Sequence, residues 1–366
     1  MVKFDLETRR KRHAAMSSRL AFLNGAELGK LIRPILPPQR GWGSSGVVKL
    51  GTANVFVKRI PMTQVEVENA YSTKNHYRLP PYYSYGIGSA GLGVWREIVA
   101  VIQTSNWVLD GSCPNFPLLY HHRVLKLRGR RAQPDSAQHA AYIKYWNNNQ
   151  QIGRFIEERA NASHEAVLFL EFIPYTLRRW LTKKLSRTGR VFEQMAGVTE
   201  FMRSKGMVHF DCHHWNVVTD GDNCYLTDFG LTMDKGFELS SPERKFLARN
   251  TFYDRGTFVS RACEYLTEKY LACSDRKRAR ILEHLSAPEP VNGLALDMVL
   301  LENVENLIGS GLLRLHPDYV EQIVKFCDVG MLMSKFYRSM IAGSRKTVRL
   351  DNDQLGALLR VEDQNR

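Results

Sequence analysis

Asp211, Asn216 and Asp228 are the residues of this chain whose types and order could carry a defined reaction. Two lie in His209-Phe210-Asp211-Cys212-His213-His214-Trp215-Asn216, and the third follows a turn-rich stretch in Asp228-Phe229-Gly230. An acid that can accept a hydroxyl proton, an amide five residues on and a carboxylate twelve residues beyond that can position Mg²⁺ and a nucleophile for in-line phosphoryl transfer. Such transfer asks for charge neutralisation and alignment more than for covalent help. On this reading Asp211 accepts the proton of the attacking hydroxyl. Asn216 and Asp228 supply oxygen ligands that suit a hard cation reluctant to dehydrate. His209, Cys212, His213 and His214 raise the competing reading of a transition-metal site, because imidazole and thiolate are good zinc ligands. Their crowding into one loop, without the paired spacing of zinc sites, argues against it.

A phosphate loop should lie upstream. Gly41-Trp42-Gly43-Ser44-Ser45-Gly46-Val47-Val48 supplies G-x-G-x-x-G-x-V, and the strand-like Val55-Phe56-Val57-Lys58 ends in a lysine twelve residues after the last glycine. Gly41, Gly43, Gly46 and Val48 are therefore candidate nucleotide-binding residues, with Lys58 holding the α- and β-phosphates. Glycines let backbone N–H groups approach phosphate without a Cβ in the way. The alternative is an ordinary glycine-rich turn beside an exposed lysine. A second G-x-G-x-x-G, Gly86 to Gly91, sits between the strand-like Tyr82-Tyr83-Ser84-Tyr85 and a helical stretch at 95–100. That order also suits a dinucleotide-binding unit, with Asp110 as its acidic residue, but Asp110 lies in a turn with no buried strand before it.

The motifs around Gly41, Lys58, Asp211 and Asp228 resemble the protein-kinase-like superfamily, which includes eukaryotic-type protein kinases and the aminoglycoside and choline kinases. The resemblance covers roughly residues 40–260. It implies an α+β, two-lobed fold with a small β-rich N-terminal lobe and a larger helical C-terminal lobe, using ATP and Mg²⁺. It implies a glutamate pairing with Lys58: Glu97, in a helix followed by the Pro114-Asn115 turn, with Glu66 and Glu68 competing. His209 joins the catalytic set in a structural role. By position the resemblance also implies that backbone groups of Glu171 and Ile173, after the buried-strand run at 166–170, read the adenine edge. Ser240-Ser241-Pro242-Glu243 would end the activation segment, or simply start a helix with a serine cap. Asp254 would brace the catalytic loop, against the alternative of a surface turn. His213 stands where serine/threonine protein kinases carry lysine and where aminoglycoside and choline kinases carry histidine. Haspin-like kinases carry histidine followed by tryptophan, comparable with His213 and Trp215.

These features lead to the expectation of a phosphotransferase moving the γ-phosphoryl group of ATP to an alcohol acceptor. An atypical serine/threonine protein kinase comes first; a small-molecule kinase and a nucleotide-binding pseudokinase scaffold are the alternatives. The segment from Asp228 to Glu243 is short for an activation loop switched by phosphorylation.

The supporting elements follow from the pattern. Phe192, Met195, Val198 and Met202 recur at helical spacing and Gly206 ends that helix, which delivers the chain to His209. Helical patterns are also expected at 176–185, 140–158, 299–307 and 319–326. The 366 residues, with 44% hydrophobic content, suffice for both lobes. They divide into a basic N-terminal extension at 1–39, an N-lobe at 40–173 with a helical insertion near 126–165, and a C-lobe at 174–366. The six cysteines are scattered without Cys-x-x-Cys pairs, and no signal-peptide run or eighteen-residue apolar stretch occurs, so the expectation is a reduced cytoplasmic protein with no transmembrane segment. A net charge of +14 favours anionic partners. The run Lys126, Arg128, Arg130, Arg131 reads as a solvated loop rather than a nucleic-acid site, because no recognised binding module accompanies it.

Overall fold

Two helices precede the sheet in the computed structural model, which describes residues 5–39, 41–127, 135–287, 293–343 and 346–364. They are α1 (Leu6–Ala21), capped by Asp5 at Thr8 N, and α2 (Gly25–Leu31), started by a reciprocal Asn24/Glu27 capping box. There follow β1 (Ser44–Leu50), β2 (Ala53–Met62), α3 (Gln64–Glu68), α4 (Val94–Asp110), β3 (Leu119–Lys126), α5 (Ser136–Tyr145), α6 (Gln150–Ala160) and β4 (His164–Glu171). The strands form one antiparallel sheet in the order β1-β2-β4-β3. β4 is flanked on both sides and buried from Glu165 to Glu171, which is why its sequence reads as a continuous apolar run rather than an alternation.

The chain divides into two compact units, Met1–Pro174 with Tyr225–Leu247, and Tyr175–Cys224 with Ala248–Arg366. It is a mixed helix-and-sheet protein with a small antiparallel sheet and many helices. The sheet-bearing unit is not the smaller of the two, contrary to the expected proportions: α1, α2, α5 and α6 belong to it, as does the segment 225–247. Nor is the basic N-terminal segment a separate extension. α1 packs against β3 and sends Arg9, 1% exposed, into the interior. Arg9 donates to both carboxylate oxygens of Glu171 at 2.8–3.1 Å and to the carbonyls of Pro114 and Phe116 at 2.6 and 2.5 Å. The helical insertion appears as α5 and α6, joined at the fully buried Trp146. Arg128, Arg130 and Arg131 of the basic run lie outside the described residues.

The strand expected at 82–85 is a 3₁₀ turn, Pro81–Ser84. Proline in its first turn fixes φ and removes a donor, which suits a helical start and not a strand interior. With antiparallel pairing throughout this sheet, and no strand before the second glycine motif, the dinucleotide-binding reading of Gly86–Gly91 and Asp110 fails.

In the second unit the helix Thr188–Lys205 buries the expected Phe192, Met195, Val198 and Met202 and stops at Gly206, whose φ of 83° is the left-handed turn glycine accepts without strain. The helix expected at 176–185 is shorter, Leu177–Leu181, followed by a 3₁₀ turn Leu185–Arg187; the Thr182 hydroxyl donates to Arg178 O at 2.7 Å and closes the first turn off. The pattern at 299–307 is split into Gly293–Glu302 and Val304–Gly309, and that at 319–326 is Pro317–Lys325. All six cysteines are free thiols. Among the described residues no helix is long and apolar enough to cross a membrane.

Candidate functional site

In the sheet-bearing unit Lys58, Glu97 and Asp228 converge. Lys58 leaves the middle of β2, where Val57 and Phe56 fix it by pairing with β4. Its Nζ lies 2.6 Å from Glu97 Oε1 and 2.7 Å from Asp228 Oδ1. Glu97 comes from the first turn of α4 and is 5% exposed. Glu66 is engaged elsewhere. Its carboxylate closes the capping box of α3 on Thr63 N at 2.9 Å and accepts Val94 N, the first amide of α4, at 2.8 Å. Glu68 accepts from Gln64 at 2.8 Å on the surface. The glutamate that meets the lysine is therefore Glu97.

Burial opposes a charged Lys58, yet the Asp228 and Glu97 carboxylates outweigh it and hold its pKa above the ordinary lysine value. Burial pushes Glu97 up, with Lys58 and Arg159 working against that rise. Asp228 has φ of 68°, a left-handed conformation in which aspartate is tolerated better than most residues. Gly230 leaves room for these carboxylates: a Cβ there would sit 3.2 Å from Glu97 Oε2 and 3.5 Å from Asp228 Oδ1.

The two glycine motifs fare differently from expectation. Gly41, Gly43 and Gly46 do not form an open cradle at a hairpin turn; the β1–β2 turn is at Gly51, φ 67°. Gly46 lies within β1, where a Cβ would stand 2.9 Å from Ile35, and at Gly43 it would stand 2.9 Å from Arg59 O. Gly41 has φ of 83° and backs onto α6. Close packing thus accounts for all three glycines, and Val48 is a buried core residue of β1. The second motif lies against the Asp228-Phe229-Gly230 turn instead: Leu92 N donates to Gly230 O at 3.0 Å. Arg159 of α6, 4% exposed, ties the two motifs together, donating to Gly41 O at 3.0 Å and Ala90 O at 2.9 Å. Sequence reading passed over Arg159, since a single arginine at a helix end carries no pattern.

At the end of β4, Glu171 N donates to Leu118 O at 2.8 Å and its side chain is committed to Arg9. Ile173 is buried just beyond it. Ser240 caps the helix Ser241–Ala248 through Glu243, whose carboxylate accepts Ser240 N at 2.9 Å and Ser240 Oγ at 2.7 Å. Glu243 also pairs with the buried Arg96 of α4 at 2.8 Å.

In the second unit the loop from His209 to Asn216 is braced from the helix Tyr253–Ala262. Asp254, 4% exposed, accepts His209 N at 2.7 Å and Phe210 N at 2.8 Å. Phe210 has φ of 64°, an outlier for a bulky residue that costs on the order of 1–3 kcal/mol. The paired amide bonds and the Tyr253 ring 5.3 Å away over-determine it. Burial raises the Asp254 pKa to about 7, against the lowering effect of those amides. His209 is wholly buried and its Nδ1 accepts Asp211 N at 3.2 Å, so it shapes the loop.

Asn216 Nδ2 donates to Asp211 Oδ2 at 2.8 Å and to Asp211 O at 3.0 Å, so Oδ1 is the atom it can offer a cation. His213 Nε2 lies 3.4 Å from Asp211 Oδ1. His214 is buried, with Nε2 on Phe258 O and Nδ1 on Tyr265 OH, each at 3.1 Å. Burial lowers its pKa to about 3 and it is a neutral core imidazole. Burial raises the Cys212 thiol well above its ordinary value, away from the thiolate a zinc site needs. Among the described residues no group of three or more His, Cys, Asp or Glu is arranged to hold a metal ion.

No protein-family model matches this chain, and no curated protein matches it.

Proposed function

We propose that this chain is an ATP-dependent kinase of the protein-kinase-like superfamily that transfers a γ-phosphoryl group to an alcohol, as an atypical serine/threonine protein kinase. The observation that carries the reading is Lys58 held between Glu97 and Asp228, two acids its Nζ meets at 2.6 and 2.7 Å, the second 170 positions away in sequence. A lysine fixed by an acid on each side, with a third N–H still to donate, suits the grip on a phosphate chain that this chemistry needs.

The roles follow from each residue's surroundings. Lys58 orients the phosphates and Glu97 keeps the lysine charged and aimed. Asp211, held by Asn216 and the His209 ring, accepts the hydroxyl proton. Mg²⁺ when bound neutralises charge on the phosphates. Asp228, whose side chain is 44% exposed, and Asn216 Oδ1 offer the hard oxygens it takes.

A second reading is a pseudokinase scaffold without turnover, since Gly41, Gly43 and Gly46 pack closely against neighbouring residues and form no open cradle for a transferring phosphate. Transfer of label from γ-labelled ATP, in the presence of Mg²⁺, to fractionated protein and small-molecule pools separates the readings. Asp211→Asn and Asp228→Ala should both abolish transfer, with Asp228→Ala alone also removing Mg²⁺-dependent nucleotide binding. Turnover unchanged in Asp211→Asn removes Asp211 as the base. Nucleotide binding without any labelled product in the intact protein favours the scaffold.

A further inference from the structure

We infer that the sheet-bearing unit carries a second anion site, separate from Lys58, which takes a small molecule bearing several phosphate groups. The site is a cavity of about 640 Å³ between α2, the β2 and β4 strands and the end of β3. That volume is in the range of small-molecule sites. Lys30, Arg33 and Lys126 reach it from the rim, all exposed, and among the described residues none of the three has an ion-pair partner.

The floor is what distinguishes this cavity from a scatter of surface lysines. Arg59, 7% exposed, lies there with its guanidinium fixed by Glu165 at 2.7 and 2.8 Å and by Ile35 O at 2.6 Å. Those bonds use three of the five N–H donors of a planar fork suited to phosphate oxygens. With Glu165 cancelling one charge, Lys30, Arg33, Arg59 and Lys126 leave a net +3 around the opening. Lys58 and Arg59 are consecutive in β2 and so point to opposite faces of the sheet, which keeps this site apart from the Lys58 triad.

Gly29 supplies a clean test, because a Cβ there would meet nothing within 4 Å and the position lines the cavity. Gly29→Glu brings a negative charge to the opening and replaces a helical glycine by a better helix former, so folding is retained. Lys126→Glu reverses one rim charge. Calorimetric titration with inorganic tripolyphosphate in Mg²⁺-free buffer, on the full chain, reads the site directly. The intact protein should bind, and Lys58→Met should keep this binding event even where it loses a second one on the other face of the sheet. Gly29→Glu and Lys126→Glu should each weaken binding by about tenfold or more, and added salt should weaken the intact protein further. Equal affinity in Gly29→Glu, Lys126→Glu and the intact protein overturns the proposal. So does loss confined to Lys58→Met, which assigns the binding to the other face, and so does binding of a single-stranded oligonucleotide with none of tripolyphosphate. Thermal unfolding of each variant confirms that a lost signal is not a lost fold.

Discussion

Arg9→Met should be among the most destabilising single changes in the sheet-bearing unit. It deletes the partner of a carboxylate that is 0% exposed and leaves the Pro114 and Phe116 carbonyls without their donor. Glu171 would retain one bond from Leu118 N at 3.2 Å and a distant cation, Arg12, at 3.9 Å. Breaking a buried ion pair from one side costs about 3–5 kcal/mol, since the remaining charge stays out of water. For a unit of this size each kcal/mol moves the midpoint by about 2–4 °C, so Arg9→Met should lower Tm by about 6–20 °C. Glu171→Gln in the same chain removes the stranded charge while keeping an acceptor for Leu118 N. The double variant should then regain about 2 kcal/mol over Arg9→Met in a double-mutant cycle. Chemical denaturation followed by tryptophan fluorescence measures both. A loss under about 1 kcal/mol in Arg9→Met, or no recovery in the double variant, would refute the view that α1 is held to the sheet by this pair.

Asp254→Asn keeps size but offers one acceptor where two amides donate, leaving either His209 N or Phe210 N unpaired; denaturation should register a loss of about 1–3 kcal/mol, and transfer activity should fall with it. His214, neutral when folded with a pKa near 3, takes up a proton on unfolding below the ordinary value of about 6.5. Its contribution is therefore complete above that pH and is lost as pH falls, by up to about 1.4 kcal/mol per unit. Asp254, raised to about 7, works in the opposite sense across about pH 4 to 7, so the intact protein alone conceals the effect. The difference in stability between the intact protein and His214→Gln, measured at pH 7 and pH 5, isolates it; equal slopes contradict a buried neutral ring. Ser240→Ala removes the cap of the helix Ser241–Ala248 and should cost about 1 kcal/mol in the same assay, whereas Ser241→Ala should cost little.

What the sequence made legible is local or strongly patterned. The apolar run that became β4, the helix ending at Gly206 and the capping serine before Glu243 each write their structure into a few neighbouring residues. Asp254 and Glu97 were reachable through the resemblance to kinase-like proteins, which implies a bracing acid and a glutamate for the lysine; Glu66, the competitor, is taken by Val94 N, while Glu97 lies 2.6 Å from Lys58. What stayed hidden depends on distant packing. In Arg9-Arg10-Lys11-Arg12 nothing marks Arg9 as the one that is buried, because its partner is 162 residues away. The Gly41 motif is ambiguous for a related reason: a glycine needed for close approach to Ile35 or to Arg59 O reads the same as one needed for phosphate. The aromatic run Tyr82 to Tyr85 suggested a strand, and Pro81 overrode it.

Lys58, braced by Glu97 and Asp228, is the proposed grip on the phosphates of a nucleotide. A crystal structure with Mg²⁺ and a non-hydrolysable ATP analogue is the decisive measurement. Lys58 Nζ should lie on α- or β-phosphate oxygens, with the Asp228 carboxylate on the cation's side of the lysine. An analogue bound away from Lys58, or Mg²⁺ held without Asp228, would contradict it.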